Sequence, residues 1–193
     1  NPTFEGAVRD TSGRGNDGVF YNGASYDAVE KALVFDGTGR VQGTHNFLET
    51  PNSNCHTFSV NLWFNHDIAD PYYNVIFHTG GTTGNSLQMF VNSSDQIGVS
   101  KGGYDINTSI VSIHGSWYHV VWTYPGGDVF NASKIYVNGV LQTLTTAGSD
   151  PVLHKVTSSE FALGDQVDAL AGTSFNGSIS NFKLYDYVLT ASE

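Results

Sequence analysis

A strict alternation of apolar and polar side chains over residues 58–65 constrains this chain most. Phe58, Val60, Leu62 and Phe64 would share one face of an extended strand, and Ser59, Asn61, Trp63 and Asn65 the other. Similar runs recur along the chain, bounded by Gly, Asn, Asp and Pro, and helical periodicity is nearly absent. The pattern predicts an all-β protein, built as a β-sandwich or a β-barrel.

Short turn motifs support this interpretation. Asn138-Gly139 separates two apolar runs, which is typical of a type I′ hairpin, because both turn residues need positive φ. A second hairpin is expected at residues 92–95. Near the end of the chain, Thr190 and Glu193 have the spacing of a helix capping box.

No charged linker, composition break or internal repeat divides the 193 residues, so we expect one domain over residues 1–193. The chain begins at Asn1, which suggests a domain excised from a larger protein. Its net charge of −10 argues against nucleic acid as a partner and disfavours anionic membranes. No apolar run approaches the length of a membrane span.

Only the cysteine count and the glycosylation sequons indicate the cellular context. Cys55 is the sole cysteine, so an internal disulfide is impossible. Four N-x-S/T sequons favour a glycosylated protein in a secreted, cell-surface or virion-surface location; they begin at Asn92, Asn107, Asn131 and Asn176.

Seven segments, in order, carry a resemblance to a known family. They are Asp10-Thr-Ser-Gly-Arg-Gly-Asn-Asp-Gly18, Ala32-Leu-Val-Phe-Asp-Gly37, Phe58-Ser-Val-Asn-Leu-Trp-Phe64, Trp117-Tyr-His-Val-Val-Trp-Thr123, Ile135-Tyr-Val-Asn-Gly139, Ala162-Leu-Gly164, and the closing run from Phe175 to Thr190. This order resembles the laminin-G-like, pentraxin-type domains of the concanavalin A-like lectin/glucanase superfamily. The resemblance implies a two-sheet antiparallel β-sandwich of the jelly-roll type. The closing run also resembles, loosely, versions of these domains found in large DNA viruses and phages.

The resemblance also bears on calcium, which such domains often hold near the first loop. Asp10 and Asn16 offer side-chain oxygens, Gly13 lets the backbone curl, and Asp186 is expected nearby if the terminal strands pair. The alternative is an Asx-type turn in which Asp10 accepts backbone N–H groups. The closing strand reads Ile179-Ser-Asn-Phe182 instead of the frequent I-D-E-V, so it offers no acidic ligand.

Catalytic signatures of this superfamily are missing from the sequence. Glycoside hydrolysis needs two carboxylates about 5–10 Å apart, and the E-x-D-x-E strand of related β-glucanases is absent. Cys55 and His56 are adjacent, so on a strand their side chains would point apart. We therefore predict that the chain is not an enzyme.

Sugar recognition needs an exposed aromatic face together with amides or carboxylates. The candidate residues lie in predicted loops: Tyr72, Tyr73, Asn74, Tyr104, Asp105 and Asp168. Tyr104 is the aromatic residue that we expect to be most exposed. An alternative is the polar face of residues 59–65, although we expect Trp63 to pack under loops and His119 to be packed or hydrogen-bonded.

Three functions remain open from the sequence. The first is a non-catalytic, lectin-like module that binds a glycan or polysaccharide, with or without structural calcium. The second is a structural, protein-interaction or virion-surface domain that binds no sugar. The third is a polysaccharide-active enzyme with an unfamiliar site.

Overall fold

Two antiparallel sheets face each other in a β-sandwich of jelly-roll type, as the sequence predicts. The computed structural model describes residues 3–4, 7–45, 57–67, 73–80, 86–127, 129–148, 156, 159–167 and 172–193. No helix within these residues is long and apolar enough to cross a membrane.

The larger sheet has ten strands. In spatial order they are β1 (Thr3–Phe4), β2 (Ala7–Val8), β3 (Gly18–Tyr21), β6 (Arg40–Thr44), β16 (Glu160–Leu163), β8 (Tyr73–Gly80), β9 (Ser86–Asn92), β10 (Gln96–Lys101), β11 (Tyr104–Val111) and β15 (Leu144–Ala147).

The smaller sheet has seven strands, and its order is β14 (Val140–Leu141), β13 (Lys134–Val137), β12 (Tyr118–Tyr124), β7 (Phe58–His66), β17 (Asn176–Tyr185), β5 (Ala32–Asp36) and β4 (Ala24–Asp27). One turn of 3-10 helix, Phe130–Ala132, precedes β13. The last strand of the chain therefore lies inside this sheet, between β7 and β5.

The alternation in β7 fixes which face of the smaller sheet is buried. Its four apolar side chains are all 0% exposed. They meet aromatic side chains of neighbouring elements: Phe58 packs edge-on against Trp122 with ring centroids 4.9 Å apart, and Phe64 against Phe175 at 6.3 Å. Burial of such rings, about 150–250 Å² each, supplies most of the stabilisation of a core of this kind.

The two predicted hairpins are confirmed, whereas the predicted capping box is half formed and residues 190–193 form a turn instead of a helix. Asn138 (φ 50°) and Gly139 (φ 79°) adopt the positive φ values that a type I′ turn requires, and Val137 pairs with Val140 across it. Residues 92–95 join β9 to β10. At the chain end, the Glu193 carboxylate accepts hydrogen bonds from the Thr190 backbone N–H (3.0 Å) and hydroxyl (2.8 Å).

Candidate functional site

The Asp10 carboxylate organises the first loop. It accepts hydrogen bonds from the Ser12 backbone N–H (2.8 Å) and hydroxyl (2.8 Å), and from the Asn16 backbone N–H (3.0 Å) and side-chain amide (3.2 Å). Asp17 accepts a hydrogen bond from the Asp10 backbone N–H. Burial pushes the pKa of Asp10 up, but the hydrogen bonds together outweigh it, and the pKa lies below its ordinary value. Gly13, at φ 84°, lies in open space at the tip of the loop.

The structure also brings Asp186 to this loop. The Arg14 guanidinium contacts the Asp186 carboxylate at 3.4 Å, as expected if the chain ends are close. Both side chains are about half exposed, so this ion pair contributes little to stability.

Calcium at this loop stays a prediction. Both Asp10 oxygens are engaged by N–H and O–H donors, and a guanidinium stands beside Asp186. An ion needs these oxygens free and six to eight oxygens in all. The loop as folded therefore fits the Asx-turn alternative, and an ion would have to displace these hydrogen bonds.

A cleft of about 670 Å³ opens beside this loop and is lined by strands of both sheets. Four of the eight basic residues of the chain line it, which gives an acidic protein one basic rim; they are Arg9, Arg14, Lys31 and Lys183. Asp10 and Asp186 also line the cleft. Because the pKa of Asp10 is lowered, its carboxyl is ionised at neutral pH and is a poor proton donor.

Two of the predicted sugar-binding residues meet on the larger sheet. The Tyr73 hydroxyl donates a 2.8 Å hydrogen bond to the Asp105 carboxylate. Burial, with that hydrogen bond and the charge of Asp105, raises the pKa of Tyr73 to about 12. The Tyr73 ring packs edge-on against Phe90 at 4.7 Å, so its edge and hydroxyl are already engaged within the protein.

Of the other predicted sugar-binding residues, the structure describes Tyr104 and Asn74, and both are buried. The expectation that Tyr104 is exposed is wrong: it is 5% exposed, because its ring packs edge-on against Phe130 and its hydroxyl bonds the Asn131 amide oxygen at 2.8 Å. Asn74 is 1% exposed in β8. Tyr72 and Asp168 lie outside the described residues.

The expectation that Trp63 packs under loops is also wrong. Its side chain lies on the outer face of the smaller sheet and is 39% exposed. Trp63 is directly opposite His119 of β12 on one side and Ser180 of β17 on the other. The His119 ring stacks on the indole, with centroids 5.0 Å apart and an interplanar angle of 28°.

His119 is packed and hydrogen-bonded, as the sequence predicted. Its Nε2 lies 3.3 Å from the Asn61 amide oxygen, and burial lowers its pKa. At neutral pH the ring is therefore uncharged. It forms a flat, neutral support for one face of Trp63.

The open side of Trp63 borders a shallow depression of about 270 Å³. Its lining combines two indoles with polar groups: Glu30, Trp63, Trp117, Ser180 and Asn181. Asn181, at φ 52°, lies in a β-bulge between Ser180 and Lys183, where β17 shifts its register against β7. The bulge adds a residue to this edge of the depression. No motif in the sequence predicts this bulge. We call these five residues the Trp63 depression.

A laminin-G family model, described as the concanavalin A-like lectin/glucanases superfamily, matches residues 36–193. The chain belongs to this superfamily. The predicted resemblance is therefore confirmed. No curated protein sequence matches the chain.

Solved structures of this superfamily fold are similar over most of the domain. Domain 4 of AbnA, an extracellular GH43 arabinanase of Geobacillus stearothermophilus solved with arabinotriose, matches with a TM-score of 0.68 and 18% identity, over 95% of this chain and 88% of that one. Trypanosoma rangeli sialidase with sialic acid gives 0.70 and 17%, over 98% of this chain and 30% of the sialidase.

A native heptameric SAP-like pentraxin of Limulus polyphemus is a third neighbour, with a TM-score of 0.56 and 20% identity, over 83% of this chain and 77% of the pentraxin. At these identities the similarity establishes the fold alone. The superfamily is carbohydrate-related.

Proposed function

We propose that this domain is a non-catalytic, lectin-like module that binds a glycan or polysaccharide at the Trp63 depression. The observation that carries the proposal is the exposed indole of Trp63, supported from behind by His119 and bordered by an amide and a carboxylate. The apolar face of a sugar ring stacks on such an indole, and its hydroxyls bond Asn181 and Glu30. Of the five residues of the depression, only Trp63 belongs to the polar face of residues 59–65 that the sequence offered as an alternative site.

The same geometry favours binding over hydrolysis. Glu30 is the single carboxylate among the described residues that line the Trp63 depression, whereas glycoside hydrolysis uses two. The neighbouring solved structures include a domain solved with arabinotriose, which supports a carbohydrate ligand. The proposed setting is extracellular, on a secreted or surface-displayed protein.

A glycan array with wild-type protein and the Trp63→Ala variant tests the proposal. We expect wild type to bind a defined set of glycans and Trp63→Ala to lose that binding while keeping its fold by circular dichroism. Tyr21→Ala is the matched control, since Tyr21 is 42% exposed on the other sheet, and it should bind as wild type does.

Three results would overturn the proposal in different ways. Binding by no glycan would favour a structural or protein-interaction domain. Binding that survives Trp63→Ala would move the site elsewhere, with the Tyr73–Asp105 pair as the next place to look. Release of reducing sugar from a bound polysaccharide would establish an enzyme.

A further inference from the structure

Two imidazoles and one carboxylate converge at one end of the sandwich, in a cluster that shares no residue with the Trp63 depression. One nitrogen each of His66 and His114 and one oxygen of Asp95 lie within 4.8 Å of one another. We propose that these three residues form a binding site for a divalent transition metal ion, with Zn²⁺ as the preferred ion. The proposal is independent of glycan binding.

Three segments that are distant in the sequence bring these side chains together. His66 is the last residue of β7, Asp95 lies in the turn between β9 and β10, and His114 follows β11. Backbone hydrogen bonds fix their relative positions: Gly115 N–H donates to the His66 carbonyl (2.9 Å), and Ser112 N–H donates to the Asp95 carbonyl (2.8 Å). The site is therefore built by the tertiary fold, and its spacing in sequence matches no short metal motif.

The positions of the donor atoms are close to those that zinc requires. Zinc bonds of about 2.0–2.2 Å in a tetrahedral site place ligand atoms roughly 3.3–3.6 Å apart. His114 Nε2 and Asp95 Oδ1 are already 3.1 Å apart. The three donor atoms lie within 4.8 Å of one another, so a bound ion would draw them closer together.

The three residues differ in burial, and their expected roles in the site differ accordingly. His66 is 0% exposed and is fixed in the core edge, with its Nε2 2.8 Å from the Ser112 hydroxyl. The His114 side chain is 39% exposed and is the group that can move to close the site. Access for an ion is therefore from the His114 side.

The donor set selects the class of ion. Calcium and magnesium take oxygen ligands almost exclusively, whereas two imidazoles with one carboxylate suit zinc and its neighbours in the first transition series. Three protein ligands leave a fourth position for water. A bound ion would link the end of β7, the β9–β10 turn and the loop after β11, so it would act as a clip across one end of the sandwich.

Zinc and cobalt titrations of the full chain test this site. We expect one Zn²⁺ per chain by calorimetry, and visible absorption bands of tetrahedral Co²⁺ when cobalt is bound. His114→Ala should weaken zinc binding at least about tenfold and abolish these bands, and Asp95→Asn should also weaken binding. Both substitutions lie at exposed or partly exposed positions, so the variants should fold.

Two further variants serve as controls. His119→Ala removes an imidazole elsewhere, and Cys55→Ser removes the one thiol; both should bind zinc as wild type does. His114→Ala should keep any glycan binding of the wild type, which separates this site from the proposed function. Zinc affinity equal in wild type and His114→Ala, or no zinc bound by wild type, would overturn the proposal and leave a hydrogen-bonded cluster.

Discussion

The indole of Trp63 lies against the imidazole of His119, with ring centroids 5.0 Å apart and planes inclined by 28°. The two residues are 56 positions apart in sequence and become neighbours because β7 and β12 pair in the register that sets Trp63 opposite His119. Stacked rings of this kind are worth about 0.5–1.5 kcal/mol beyond the area that they bury.

A double-mutant cycle should measure this coupling without any ligand. Trp63→Ala, His119→Ala and the double variant are unfolded in urea, and we expect an interaction free energy of about 0.5–1.5 kcal/mol. Additive effects within about 0.3 kcal/mol would show that the rings do not support each other. In that case His119 would have no role in presenting the Trp63 surface.

Substitution of Asp10 distinguishes the hydrogen-bonded loop from a calcium loop. We expect Asp10→Ala to lower the free energy of unfolding by about 1–2 kcal/mol, because the Ser12 and Asn16 donors lose their acceptor. The loss should be equal with added calcium and with EGTA. The wild-type melting temperature is the companion measurement: a fall in EGTA would support the predicted calcium site instead.

Acid should destabilise the domain through His45. This side chain is 3% exposed, and burial lowers its pKa from 6.5 to about 4. The unfolded chain therefore binds a proton more tightly than the folded chain, and the stabilisation is complete above pH 6.5 and is lost as pH falls toward 4. The full effect is on the order of 3 kcal/mol.

The variant His45→Gln isolates this contribution from other acid-sensitive groups. Urea unfolding at pH 7 and pH 4.5 should show a smaller loss for the variant than for wild type. Parallel losses in the two proteins would mean that His45 does not govern the acid response.

Two glycine substitutions should differ in cost because their surroundings differ. Gly139 has φ 79° and no atom within 4 Å of an added Cβ, so Gly139→Ala should cost about 1–2 kcal/mol for the left-handed backbone alone. Gly164 has φ 84°, and an added Cβ would overlap the Phe35 ring. Gly164→Ala should cost about 1–3 kcal/mol more. Equal melting temperatures for the two variants would contradict this comparison.

The sequence predicted features that depend on neighbours along the chain. The Asn138-Gly139 turn and the alternation of Phe58, Val60, Leu62 and Phe64 are local rules of backbone and side-chain direction, and both are confirmed. The resemblance added the sandwich, since its motifs occur in family order over nearly the whole chain. The local rules and the family resemblance predict the same structure, which is typical of a sequence that specifies a single fold.

The sequence could not predict which loop residues would be exposed. Tyr104 follows two glycines and was expected at the surface, but it is the first residue of β11 and its ring reaches Phe130 across the core. Alternation placed Trp63 on the polar face of its strand, but its contact with His119 depends on strand order and register. The His66–Asp95–His114 cluster joins three segments that are distant in the sequence, and no local pattern encodes such a meeting.

The position of β17 inside the smaller sheet has a consequence for synthesis of the protein. β7 needs β17 as a neighbour, and β5 pairs with β17 on its other side. During translation, β4 and β5 are therefore separated from β7, β12 and β13 until residues 176–185 leave the ribosome. Until then, β5 and β7 each keep one unpaired edge. The smaller sheet is therefore completed late in folding, when β17 becomes available to pair.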